Sequence, residues 1–260
     1  MSTISYTFPS ELVRATVVKR PSASIKSPYV ADVRVDGIDE LMLCHSPGLG
    51  CCGLVEAGRT IYVVPSREGS KTAWTAQVAE CVDGTGTYYV GIHPMVGQSV
   101  AATYLSNISA DAVWKSEVCV GEGTRIDYVG ILPDGKKIYV EVKTAMVSME
   151  CATQRSERRV VFPEGYRKSK KEPVSPRAIK HAETLAALMS KEDTAGCVML
   201  YVVPRDDCGG GMLVNPEDPW YATAVRGAVA AGVRTIAISF SYDVAGIVTY
   251  KGTLPVIFGA

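Results

Sequence analysis

The sequence predicts an α/β (α+β) protein with an all-β N-terminal part. Three observations carry this. Residues 12–92 hold six short runs of β-branched and aromatic residues separated by Gly and Pro turns. From about residue 97 the pattern changes, and helical stretches alternate with apolar strands. One of those strands, "GCVMLYVV" at 196–203, is apolar throughout, as expected for a strand covered on both faces.

In order, the N-terminal strands are "LVRATVVKR", "YVADVRVD", "DELMLC", "RTIYVVP", "TAQVAEC" and "TYYVGI". In the second, Tyr29, Ala31, Val33 and Val35 alternate with Val30, Asp32, Arg34 and Asp36. Asp36-Gly37 and Asp83-Gly84 are hairpin signals. Five or six such strands make a small barrel or sandwich. The boundary is placed so that 1–96 form one domain and 97–260 another. "GQSVAATYLSNISADAVW" reads as a helix and connector. Next comes a hairpin, 125–144, turning at Pro133-Asp134-Gly135. A helix follows with Ser175 as N-cap, Pro176 at its first position and an apolar stripe of Ile179, Ala182, Leu185 and Met189. Asp218, Pro219 and Gly232 delimit another helix, and "RTIAISFSY" and "GIVTYKG" complete the sheet.

Formal net charge is zero, so the molecule as a whole does not attract a polyanion, and any nucleic-acid site must come from local clustering. No apolar run reaches the roughly 20 residues that span a bilayer. The N-terminus lacks the order of a signal peptide, and a cytosolic protein is expected, without excluding a nuclear or organellar one. The eight cysteines are scattered in mostly apolar contexts and read as reduced and mostly buried.

The candidate chemistry starts in the hairpin. With Leu132 facing Lys136, Asp127 falls opposite Glu141, and Lys143 shares the face of Glu141, while Ile138, Val140 and Val142 point to a core. Two carboxylates about 5 Å apart repel unless both are solvated or a cation lies between them. Mg²⁺ or Mn²⁺ suits such a pair, with Lys143 assisting a water or a developing charge. A solvated strand face would show the same residue types. A basic segment follows, with Arg155, Arg158, Arg159, Arg167, Lys168, Lys170 and Lys171 leading to Arg177, Lys180 and His181. A phosphate backbone is its natural ligand. Arg177, Lys180 and His181 share one side of their helix, opposite the apolar stripe, and fit either an anion site or an exposed polar face. His45 with Cys44, Cys51 and Cys52 raises a zinc reading without the spacing of paired Cys-x-x-Cys motifs, and His93 has no evident partner. Tyr29, Tyr62, Trp74, Tyr88 and Tyr89 lie among basic residues and suit either base stacking or a core.

"SEVCVGEGTRIDY", "IYVEVK", "FPEG" and "VSPRAIKHAETLAALM", together with "YVADVRVDG" and "MLYVVPRDD", resemble the sugar fermentation stimulation protein A family over nearly the whole chain. The resemblance implies an N-terminal OB-like β-barrel and a C-terminal restriction-endonuclease-like mixed sheet flanked by helices, of the PD-(D/E)xK type. It implies that Asp127, Glu141 and Lys143 are that nuclease signature, that Glu117 is a further acidic metal position, and that Arg177, Lys180 and His181 lie on the following helix. The sequence departs from the family at "HSPGL", His45–Leu49, and at His93-Pro94, and carries a longer basic insert before "VSPR". The resulting expectation is a protein binding DNA, RNA or single strands, with DNA preferred. It would cleave phosphodiester bonds with Mg²⁺ or Mn²⁺. The competing expectation is a sequence-tolerant DNA-binding or regulatory protein without catalysis.

Overall fold

In a computed structural model the described residues are 5–48, 51, 53–121, 124–149, 154–165, 169 and 171–259. The N-terminal strands are β2 (Val13–Lys19), β3 (Val30–Val35), β4 (Leu41–His45), β5 (Thr60–Pro65), β6 (Trp74–Asp83) and β7 (Gly86–Gly91), preceded by β1 (Ser5–Thr7). All six sequence runs become strands. The order is β4-β3-β2-β5-β6-β7, and β4 also pairs in parallel with β6. That pairing closes a five-stranded ring, the OB-like barrel. Its interior takes the inward residues that the alternation pointed to, Ala31, Val33 and Val35, with Ile61, Val63 and Val90. Each valine or isoleucine buried there contributes about 1.5–3 kcal/mol. Tyr29, at the outer end of that alternation, is instead exposed.

The second part holds α1 (Pro94–Ala102), α2 (Leu105–Ile108), β8 (Val113–Gly121), β9 (Thr124–Ile131), β10 (Lys137–Thr144), β11 (Val147–Met149) and β12 (Arg159–Phe162). It continues with α3 (Pro176–Met189), β13 (Thr194–Val203), β14 (Gly211–Val214), α4 (Pro219–Ala230), β15 (Arg234–Tyr242), β16 (Ile247–Leu254) and β17 (Val256–Phe258). A seven-stranded mixed sheet runs β1-β16-β15-β13-β10-β9-β8. β10, β13 and β15 are its parallel centre, and the outer pairs are antiparallel. Helices α3 and α4 cover one face through Ala182, Leu185, Tyr221 and Val225. On the other face α1 and α2 pack through Val96, Val100 and Leu105 against Val140, Val142 and Phe240. This is the restriction-endonuclease-like layer arrangement.

Two features depart from the expected organisation. β1 pairs with β16, so residues 5–7 belong to the large sheet and not to the barrel. A separate four-stranded sheet, β11-β12-β14-β17, has no counterpart among the expected strands. Its strands are only three or four residues long, too short for a periodicity to register.

The helix caps match their sequence signals. The Ser175 hydroxyl accepts the Ala178 N–H at 3.2 Å. Asp218 caps α4 by accepting the Tyr221 N–H, and its other oxygen accepts the Val174 N–H at 2.8 Å, which ties α4 to the chain entering α3. Helix α1 starts three residues before the expected Gly97. Pro94 takes its first turn, and His93 Nδ1 caps it by accepting the Met95 N–H at 3.2 Å.

Candidate metal and nucleic-acid site

The β9–β10 hairpin has the register read from the sequence. The turn closes through the Leu132 N–H to the Lys136 carbonyl, Gly135 has φ +83°, and Tyr128 faces Val140. Asp127 and Glu141 come next, and there the ladder stops. The Asp127 carboxylate takes the place of a backbone partner, accepting the Val142 N–H at 2.7 Å. β10 stays in the sheet because its other edge remains paired with β13 through Thr144.

The two carboxylates sit in different surroundings. Glu141 is 1% exposed and lies under α3. Its Oε1 accepts from both Lys143 Nζ and His181 Nδ1. Its Oε2 is buried with no hydrogen-bond partner among the described residues. Burial opposes the charge on Glu141, but the bonds from His181 and Lys143 outweigh it and hold the carboxyl below its usual range. Asp127 is pushed up to about 6, first by burial and then by repulsion from Glu141. Both flank a cleft of about 300 Å³ lined also by Gln98, Lys143, Thr144 and Arg177.

His181 explains how α3 serves the site. It was expected on an exposed side opposite the apolar stripe, but it is buried, on the same side as Ala178, Ala182 and Leu185. Donation from its Nδ1–H to Glu141 leaves Nε2 as an acceptor, and Arg177 Nε–H stands 3.4 Å from it. Arg177 is exposed at the cleft, whereas Lys180 is exposed and does not line it.

Glu117, in β8, has φ +54°, a left-handed conformation disfavoured for a residue with a side chain. Gln98, on α1, joins it to Asp127: one amide nitrogen lies 2.7 Å from Glu117 Oε1 and 3.1 Å from Asp127 Oδ1. Arg125 pairs with Glu117 at 3.6 Å. Among the described residues no three His, Cys, Asp or Glu side chains are grouped to hold a metal. Glu117, Asp127 and Glu141 are not grouped in this way, and Gln98 stands between Glu117 and Asp127. Gln98 itself was missed. The one available signal was His93-Pro94, which starts α1 early enough to set Gln98 one turn inside it.

The basic segment divides. Arg158 is buried and bonds Asp83 and Asp207, and Arg155 bonds Thr85 and lies 5.4 Å from the Tyr88 ring centroid. These two arginines tie the barrel to the second part, Arg158 through two carboxylates and Arg155 through Thr85 and Tyr88. Arg159 and Lys171 are exposed. Arg167, Lys168 and Lys170 lie outside the described residues. The barrel aromatics are largely structural. Tyr62 is buried and packs edge-on to Tyr89, Trp74 packs on the barrel core, and Tyr88 lies between Arg155 and Arg205. Cys44 and Cys51 are buried in the barrel and His45 stacks on Tyr29, as a core reading requires, while Cys52 lies outside the described residues.

A family model described as the sugar fermentation stimulation protein RE domain matches residues 93–246, more than half of the chain. The chain belongs to the sugar fermentation stimulation protein family. A sugar fermentation stimulation protein homolog of Dinoroseobacter shibae is 30% identical, over 96% of this chain and 95% of its own. One from Synechocystis is 28% identical, over 93% of this chain and 94% of its own. Among solved structures, SfsA of Pyrococcus furiosus, described in complex with Ca²⁺, superimposes with a TM-score of 0.76. It covers 99% of this chain and all of its own at 18% identity, which extends the shared fold across both parts of the family architecture. Among the described residues no helix is long and apolar enough to cross a membrane.

Proposed function

We propose that this family member is a divalent-metal-dependent nuclease acting on DNA, with Mg²⁺ or Mn²⁺ held by Asp127 and Glu141. The observation that carries the reading is Glu141 Oε2, a carboxylate oxygen buried beside a cleft with no hydrogen-bond partner among the described residues. Such an atom costs free energy unless a ligand completes it, and a hard dication is the fitting one. The Ca²⁺ described for the Pyrococcus furiosus relative supports divalent-metal binding in this fold.

Once bound, the ion supplies a more acidic water and stabilises negative charge on a phosphate. The remaining work falls to side chains of the chain. Asp127, whose Oδ1 accepts from the Gln98 amide, would hold the ion in its ionised form. His181, backed by Arg177, keeps Glu141 in place. Lys143 Nζ donates to Glu141 at the cleft and would assist a water or a phosphate oxygen there. The guanidinium of Arg177 faces the cleft as a phosphate ligand, and Lys180, Arg159 and Lys171 extend the basic surface.

The test uses supercoiled plasmid and single-stranded DNA with Mn²⁺ or with EDTA. Cutting is expected with Mn²⁺, abolished by EDTA and by Asp127→Ala or Glu141→Ala, while DNA binding persists. Cutting without metal, or in Asp127→Ala, would sink the proposed site. Binding by the native protein with no cutting under any metal would leave the non-catalytic reading in its place.

A further inference from the structure

A second cleft, about 690 Å³, opens between the barrel and the outer side of α1. It is lined by neither of the two carboxylates nor by Lys143. Its floor includes Gln77, only 6% exposed, whose side-chain amide has no hydrogen-bond partner among the described residues. The strand geometry accounts for its position. Tyr62 faces Val78 and Val63 faces Ala76, so Gln77 is the one extra residue of a β-bulge in β6. Bulges re-aim side chains that a regular ladder would point elsewhere. The bulge is held by the Ile92 N–H bonding the Gln77 carbonyl at 2.9 Å.

Apart from Arg67, the rest of the lining is apolar or neutral. Tyr6 and Phe8, packed edge to face with centroids 5.6 Å apart, form one wall. Ser66 and Thr75 add hydroxyls, and Ser99 faces them from α1. His93 is pushed down to about 4 by burial and by His45, so it is neutral, and because its Nδ1 accepts from Met95, its Nε2–H remains a donor. Among the described residues the lining holds no carboxylate and one formal cation, Arg67. A phosphate would find little there, whereas a flat ring with a donor–acceptor edge would find both apolar walls and polar partners. An amide offers that edge its complement, as Gln does to adenine. Met95, 61% exposed, lines this cleft and the Asp127–Glu141 cleft alike.

We propose that this cleft holds an unpaired nucleobase, read by Gln77, next to the phosphate bound at the metal cleft. The proposal rests on the nucleic-acid reading above and adds the part of the substrate that the second cleft selects. It implies a preference for single-stranded or locally opened substrate, since a paired base presents neither face nor edge.

Base binding is measured apart from cutting, by calorimetric titration of the intact protein with the four nucleoside monophosphates and with ribose 5-phosphate. At least one nucleotide, AMP foremost, is expected to bind ten or more times tighter than ribose 5-phosphate. Gln77→Leu should weaken that binding about tenfold. Because Gln77 is buried, the second variant is Ser99→Trp, an exposed helix position from which an indole fills the cleft, and it should abolish nucleotide binding without lowering the unfolding temperature. Equal affinity for nucleotides and ribose 5-phosphate, or full affinity in Ser99→Trp, would overturn the proposal. Nucleotide binding without any metal-dependent cutting would keep the base cleft and remove the nuclease reading.

Discussion

The state of Asp127 links stability to pH. Its carboxyl is raised from 3.8 to about 6, mainly by burial and next by Glu141. The protonated form is therefore favoured by folding. Its contribution is fully present below pH 3.8 and is lost as the pH rises through about 6. Metal-free protein should lose this part of its stability across that window, and Asp127→Asn should flatten the slope. A dication reverses the sign, because it favours the ionised carboxylate. Ca²⁺ should thus raise the melting temperature more at pH 7.5 than at pH 5, and an equal rise at both would contradict the assignment. At this scale the sequence was informative about register. Asp127, Glu141 and Lys143 were readable because a two-residue period and one turn type fix their spacing. Gln98 was not, because its meeting with Asp127 joins residues 29 apart through the placement of α1.

That placement is an element-scale matter. α1 lies close over the end of β10, and a Cβ built on Gly97 would stand 2.5 Å from the Thr144 hydroxyl. Only a glycine permits this approach, and through it Gln98 reaches the carboxylates. Tyr128 reinforces it by donating to the Gln98 carbonyl at 2.8 Å. Gly97→Ala should cost about 1–3 kcal/mol, as overpacking does. Thr144→Ala in the same chain should restore most of it, since the remaining Cβ would lie 3.5 Å away. A double-mutant cycle in thermal unfolding measures the coupling, and additive effects would rule out the contact. Helices α3 and α4 were legible from caps and period. The inward turn of His181 was not, since a polar residue beside an apolar stripe looks the same whether it meets water or a buried carboxylate.

Across the whole molecule, the barrel and the endonuclease-like part are joined by a chain of charges. Arg205, 3% exposed, pairs with Asp207, which is fully buried. Asp207 also meets Arg158, which reaches Asp83 on the barrel, 75 residues away. Asp207→Ala would leave Arg205 buried without its carboxylate, and a loss of about 3–5 kcal/mol is expected in chemical denaturation. A loss within 0.5 kcal/mol would mean that the network is solvated and structurally idle. Local pattern was enough to settle the six barrel strands, the hairpin register, both long helices and the acidic pair, because each is encoded within a dozen residues by alternation, turn chemistry or capping. The joining of β1 to β16, the small sheet of three- and four-residue strands, the use of Arg155 and Arg158 as internal ties, and the bulge that presents Gln77 all depended on packing between distant segments. A short strand, a buried charge or an extra residue acquires meaning only from the partner it meets, and that partner is chosen by the folded chain as a whole.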